Sequence, residues 1–156
     1  MHSRILLFIL SILATSCISV EICDDDNNSV MVVKFMTLID ELPADSTVAS
    51  FSLYGIREGR PDSLLYNQDA INAFEAPLDP HHDFTRFVLQ INEQTDTLEL
   101  VHKQDLYMIS YDCGFGNLFT IENAGISSGV IKSAEIKDDK VYAETQADDE
   151  HIWLFL

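Results

Sequence analysis

Basic residues are scarce in this chain. Nine Lys and Arg stand against 26 Asp and Glu, a formal net charge of −17, and all of the cations but Arg4 are scattered from Lys34 to Lys140 with no basic stripe. Such a surface repels a phosphate backbone, which excludes nucleic acid as a partner. It can attract divalent cations or basic partners, although the ordinary use of acidity is a solvated surface. Long hydrophobic runs are missing too. The apolar run Ile5 to Leu13, broken by Ser11, falls short of the roughly 20 residues that a transmembrane helix needs. There are only three cysteines, none in a C-x-x-C pair or beside Arg, Lys or His, so the usual settings of metal-binding and reactive thiolates are absent. No repeat or low-complexity tract occurs.

What is there fits one globular domain: 156 residues, 47% apolar and 22% charged. A chain of this length can bury roughly 68% of its unfolded surface, enough for a real core. The N-terminus has the three-part layout of a secretory signal, with Arg4, the apolar run, then Ala14-Thr15-Ser16 before Cys17. Residues 1–16 are therefore expected to be removed, which takes the charge to −18 because Arg4 is the one charged residue lost.

Leu13-Ala14-Thr15-Ser16-Cys17 resembles the lipobox of bacterial lipoproteins, in which small residues precede a cysteine that receives diacylglycerol and becomes the new N-terminus. Ala14 stands where Leu is commoner, and the same bond would be cut by an ordinary signal peptidase. With Cys17 so used, Cys23 and Cys113 remain as an even pair in an oxidising compartment, and a disulfide between them is the economical inference. It would close a loop of about 90 residues, worth roughly 4 to 5 kcal/mol in the chain-entropy model.

Residues 17–29 form an acidic lead-in that includes Asp24, Asp25 and Asp26, and a folded domain is expected over 30–156. There the apolar period is two: Ala49, Phe51 and Leu53 alternate with serines, and Phe87, Leu89 and Ile91 with Val88 and Gln90. Further short runs rich in β-branched or aromatic residues lie at Val30 to Leu38, Thr97 to His102, Leu106 to Cys113, Leu118 to Ile121, Gly129 to Ile136, Val141 to Thr145 and His151 to Leu156. Asn92 to Asp96 and Lys137 to Lys140 suit hairpin loops, and only Asn67 to Phe74 could carry a helical turn. The fold class is all-β, an antiparallel sandwich of eight or nine strands, with a barrel as the alternative. Tyr107, Ile109, Tyr111 and Cys113 should share one face, so the disulfide would enter from the core side. Gly114 and Gly116 mark a bend, with Phe115 as a core plug.

Cys17, Cys23, Cys113-Gly114-Phe115 and Ala76-Pro77-Leu78-Asp79-Pro80 together resemble a family of small lipoproteins from Bacteroidetes-type bacteria. Its members carry a leader cysteine, a second cysteine soon after, a late C-G-F motif and a mid-chain L-P-L-N-P-like segment, from which Ala76 departs. The resemblance implies an envelope lipoprotein with a domain of unknown function.

Sequences that carry chemistry elsewhere are weaker here. Gly125-Ile126-Ser127-Ser128-Gly129 matches G-x-S-x-G, but the nucleophile elbow needs a parallel α/β sheet, and His151 lies two residues from Asp149 in an all-β tail. Asp24, Asp26 and Asn28 have the 1, 3, 5 spacing of a calcium loop, yet position 6 is Ser29 and position 12 is Phe35, so weak Ca2+ binding is the most this cluster offers. His81-His82-Asp83 could supply at most one imidazole with the carboxylate to a metal, with His102 or His151 as a further ligand. Ile152 to Leu156 reads as a core strand or a partner-binding edge. Asp45-Ser46-Thr47, Asp62-Ser63-Leu64 and Asp96-Thr97-Leu98 resemble D-[ST]-hydrophobic O-glycosylation acceptors, Ser63 best placed among them.

No catalytic, metal or cofactor site is expected. The expected function is a non-enzymatic lipoprotein of the cell envelope, exported and anchored at the outer membrane through its N-terminal lipid. It would bind or support an envelope protein or glycan. The rival classes are a small hydrolase or metal-dependent enzyme, using Ser127 or the His81/His82 region, and a carbohydrate-binding or inhibitor domain.

Overall fold

The computed structural model describes residues 29–57, 62–111, 113–127, 129–143 and 149–156. Among these the secondary structure is all β, with no helix. The strands are β1 (Val30–Ile39), β2 (Leu42–Asp45), β3 (Val48–Ile56), β4 (Ser63–Ile71), β5 (Ala73–Pro77), β6 (Phe84–Ile91), β7 (Gln94–Ser110), β8 (Gly114–Ile126), β9 (Ser133–Ile136), β10 (Lys140–Val141) and β11 (Ile152–Phe155).

One sheet is built around β1. Its first half pairs with β5 and its second half with β2, end to end on the same side, while β11 and then β9 extend the other side. The second sheet runs β10-β8-β7-β6-β3-β4, antiparallel throughout. The two sheets pack face to face and do not close into a barrel, so the molecule is a β-sandwich. Every connection except β1–β2, β3–β4, β6–β7 and β7–β8 changes sheet, which sews the layers together.

Alternation explains the core. Phe51 and Leu53 of β3, Phe87, Leu89 and Ile91 of β6, and Leu98 and Leu100 of β7 are buried, facing Met31, Val33 and Phe35 of β1. At the centre, Phe51 of one sheet meets Phe35 edge-on at 5.3 Å and Phe74 at 4.7 Å, both from the other sheet. Each such phenylalanine is worth about 3 to 5 kcal/mol against alanine.

A carboxylate fixes one crossover. Asp96 is buried, and its Oδ2 accepts the amides of Val130 at 2.8 Å and Ile131 at 3.0 Å, holding the β8–β9 connection against β7. Its Oδ1 accepts the Ser127 hydroxyl at 3.3 Å, while Ser127 Oγ accepts the Thr97 amide at 2.7 Å. Gly129 has to be glycine, because a Cβ there would lie 2.1 Å from Asp96 Oδ1. Ser127 and Gly129 of the G-x-S-x-G sequence thus form a clasp around a buried acid, at the crossover from β8 to β9.

Several expectations are corrected. Asn67 to Phe74 has no helical turn: it forms the end of β4 and the start of β5, since backbone pairing with β3 and β1 outweighs the polar, turn-like side chains. The sandwich has eleven described strands, two or three more than expected, and one pair, β1 with β11, is parallel. Lys137 to Lys140 joins strands of different sheets and makes no hairpin. Phe115 is exposed and plugs nothing. Tyr111 stands in the β7–β8 turn, also exposed, so no run of Tyr107, Ile109, Tyr111 and Cys113 lines a core face. β11 lies between β1 and β9, so the aromatic tail is no partner-binding edge.

Candidate functional site

A concavity opens at one end of the second sheet, where β3, β4 and β6 meet the β5–β6 turn. Antiparallel pairing sets Ile56 of β3 opposite Arg86 of β6, which brings Arg57, the next residue, to the same place. A register shift between Leu53 and Tyr54 interrupts the β3–β4 ladder just before it, and pairing resumes at Tyr54–Leu64 and Gly55–Ser63. The missing side chain of Gly55 lets Leu65 of β4 lie over the strand, with Leu65 Cδ1 at 3.4 Å from where a Cβ would be. The resulting cavity of about 100 Å³ has buried Leu78, Thr85 and Phe87 in its lining, and Arg57, Arg86, Asp79 and His82 on it as well. Ser63 lies at the same place, as the exposed first residue of β4.

The turn that closes one side is organised by Asp79. Its Oδ1 accepts the His81 amide at 2.9 Å and its Oδ2 meets His82 Nδ1 at 3.1 Å. Partial burial alone would raise this carboxyl, but the His81 N–H, the hydrogen bond and charge of His82 and the charge of Arg57 together hold it below the usual aspartate range. The acid partner of His82 is therefore Asp79, not Asp83. The His82 ring also leans on Phe84, with centroids 5.8 Å apart.

Arg86 is divided between two contacts: Nε donates to Glu99 at 2.5 Å, and the guanidinium lies 4.7 Å from the centre of the Phe84 ring. Of four arginines in the chain, Arg57 and Arg86 line this one cavity; Arg4 and Arg60 lie outside the described residues. An apolar hollow beside two guanidiniums, with Asp79 on its lining and Glu99 paired to Arg86, is a local concentration of cationic donors in a chain of net charge −17. Planar forked donors suit a carboxylate or phosphate better than an ammonium would.

Behind the cavity sits His102. Fully buried, its Nε2 meets Thr85 Oγ1 at 2.8 Å, its Nδ1 has no hydrogen-bond partner among the described residues, and its ring stands edge-on to Phe119 at 5.2 Å. Burial lowers its pKa, against the weaker pull of Asp79 and Asp83. Thr85 Oγ1 also accepts the Asp79 amide at 2.8 Å, so the wall of the cavity and the buried imidazole share one hydroxyl. The other buried histidine is structural. Nδ1 of His151 accepts the Val32 amide at 3.0 Å, and the ring also hydrogen-bonds the Lys140 backbone, linking β1 to β10 across the two sheets.

Among the described residues no three His, Cys, Asp or Glu side chains converge to hold a metal. His81, His82 and Asp83 share a turn without forming a ligand set, and His102 and His151 are committed elsewhere. Asp24 and Asp26 of the acidic cluster lie outside the described residues, as do Cys17 and Cys23. Cys113 is the last residue of the β7–β8 turn, partly buried; its amide donates to Ser110 Oγ at 3.0 Å, and the residue is not without a partner.

The arrangement is that of a two-sheet sandwich with a hollow at one end of its larger sheet. The chain belongs to a family of unknown function, DUF6452, which matches residues 50–156. The match begins within β3 and includes every residue of the cavity. No curated protein and no solved structure matches the chain.

Proposed function

We propose that this protein is a non-enzymatic lipoprotein of the bacterial cell envelope whose sandwich binds an envelope partner at the Arg57–Arg86 cavity. Residues 1–16 are the leader, Cys17 carries the lipid that holds the protein at the outer membrane, and Cys23 is disulfide-bonded to Cys113. The engaged state of Cys113 supports the staple. With two arginines at an apolar hollow of a strongly acidic chain, the group recognised is anionic with an apolar neighbour, as on an acidic side chain, an acyl carboxylate or an acidic glycan.

The two guanidiniums beside an apolar hollow carry the reading, and titration calorimetry tests it. Hexanoate should bind more tightly than hexanol or hexylamine, and Arg57→Ala should abolish the preference. Equal behaviour of all three probes would sink the anion site. Intact mass of membrane-extracted protein should show acylation on Cys17; a secreted chain with no acyl group contradicts the address.

The rival hydrolase reading has a specific obstacle. The Ser127 hydroxyl donates to Asp96 and accepts from Thr97, so both its capacities serve the fold. Hydrolysis of ester, peptide or glycan panels that disappears with Ser127→Ala or His82→Ala, the variants remaining folded, would reverse the preference.

A further inference from the structure

The β7–β8 hairpin runs past the sandwich. Asp96, Leu98, Leu100 and His102 of β7 point into the core and are buried. The same side of the strand continues through Gln104, Leu106 and Met108, paired across to Phe119, Asn117 and Phe115. Among the described residues nothing covers this stretch: Leu106 is 69% exposed, Met108 52%, Phe115 64%, and Tyr111 at the turn 95%. On the opposite side Gly116 leaves room for Tyr107 and Ile109, whose side-chain atoms would lie 3.1 and 2.8 Å from a Cβ there. Tyr107 in turn packs edge-on against Tyr142 at 5.3 Å. The arm is therefore a built structure with one apolar side left open.

The described residues begin here. Ser29, the first described residue, is buried with its hydroxyl donating to the Asn117 carbonyl at 2.7 Å, and Asn117 is the partner of Leu106 in the hairpin. From Cys17 to Ser29 the chain can span at most roughly 40 Å, and a Cys23–Cys113 bond would shorten the tether to the turn to roughly 20 Å. The end of the molecule tied to the lipid is the end at which the apolar arm projects.

We infer that the open side of the β7–β8 arm, Leu106, Met108 and Phe115 with Tyr111 at its tip, seats in the headgroup–acyl boundary of the bilayer to which Cys17 is anchored. Aliphatic and aromatic side chains next to a tyrosine are the mixture that such a boundary favours. The acidity of the rest of the chain keeps the body off the surface, so contact is confined to the arm. This inference rests on the lipid-anchor reading above, and it orients the Arg57–Arg86 cavity relative to the membrane.

The test uses the mature chain, residues 17–156, acylated and as unacylated Cys17→Ser, with phosphatidylcholine vesicles as the probe. Phe115→Trp in a Trp153→Phe background reports insertion through a blue shift and quenching by lipids brominated near the carbonyl, and circular dichroism checks that the fold is kept. The acylated protein should show both signals. Leu106→Asp and Met108→Asp should each lower partition of the unacylated chain by roughly tenfold, the size expected for losing one part-buried apolar side chain. A vesicle-bound, acylated Phe115→Trp protein whose indole emits as in water overturns the seating while leaving the anchor intact. A chain that carries no acyl group overturns the anchor, and with it the inference. Protection of residues 106–115 from hydrogen exchange without vesicles, in a concentration-dependent dimer or against residues 18–28, assigns the face to another occupant and likewise overturns it.

Discussion

The inner and outer halves of the β7–β8 hairpin carry the same alternation of side chains and meet opposite fates. In the inner half Leu98 and Leu100 lie under the β1 sheet and are wholly buried; a few residues on, Leu106 and Met108 point the same way and are exposed, with no second layer opposite them among the described residues. Period-two patterning therefore reports the strand and its apolar side, but says nothing of whether a second layer lies opposite. The energetic weight of a residue in this hairpin should follow the layer, not the pattern, with one exception where the outer half is cross-linked.

That exception gives the largest expected effect. If Cys113 is bonded to Cys23, Cys113→Ser should cost roughly 4 to 5 kcal/mol by opening a loop of about 90 residues, read as a drop in the urea midpoint that reduction of the wild type reproduces. An unchanged midpoint would mean that the outer half contributes nothing even through its sulfur. Next come the inner-half contacts. Asp96→Ala leaves the Val130 and Ile131 amides buried without an acceptor and should cost about 3 to 5 kcal/mol, and Gly129→Ala should do comparable damage by driving a methyl into that carboxylate. Leu100→Ala should cost about 2 to 5 kcal/mol. Urea melts of all three against wild type decide whether Asp96 outweighs the aliphatic core.

Acid should act through the inner half as well. Burial is the main cause that lowers both His102 and His151 below the ordinary 6.5, against weaker raising by nearby acids and, for His151, the Lys140 backbone. A histidine with a depressed folded pKa binds its proton more readily when unfolded. Stability is thus complete above pH 6.5 and declines as pH falls below that value through the folded pKa, by up to about 1.4 kcal/mol per pH unit for each ring. Protonated His151 could no longer accept the Val32 amide, which ties this loss to the β1–β10 latch. The lowered Asp79 and Glu150 add a second decline, whose onset lies at their ordinary values of 3.8 and 4.5. His102→Leu should flatten the melt-against-pH curve below pH 6.5 by one ring's share while leaving the lower window in place. A slope unchanged in that variant would show that His102 takes no part.

The same contrast separates what the sequence disclosed of this fold from what it hid. Strands at Phe51, Phe87 to Ile91 and Thr97 to His102 were legible because one side is covered and alternation is strict. The end of β4 was not, since Asn67-Gln68-Asp69-Ala70 has turn-like side chains and becomes a strand only by pairing at an edge. Nor was the β1–β2 turn, where Asp40 and Glu41 both take positive φ, 52° and 66°, without the Asn-Gly that usually marks it. Long-range registry hid the rest: the parallel match of Val33 to Ile152, and the pairing of Ile56 with Arg86 that assembles the cavity. A weak signal for the cavity was present, since three of the four arginines fall between positions 57 and 86. Without the β3–β6 register nothing linked them to Asp79 or His82.

The smallest effect is expected in the outer half, and its sign is informative. Leu106→Ser, Met108→Ser and Phe115→Ser remove apolar surface that is already in water, so each should change stability of the soluble, unacylated chain by under about 0.5 kcal/mol. Because Asn117 and Gly116 hold the arm through backbone pairing and the Tyr107–Tyr142 contact, a triple serine variant should keep its urea midpoint and become more soluble. If instead the triple variant melts like a core mutant, the open side is packed in solution. The distinction between the two halves of the hairpin then disappears, and with it the reason to look to the membrane for what covers Leu106, Met108 and Phe115.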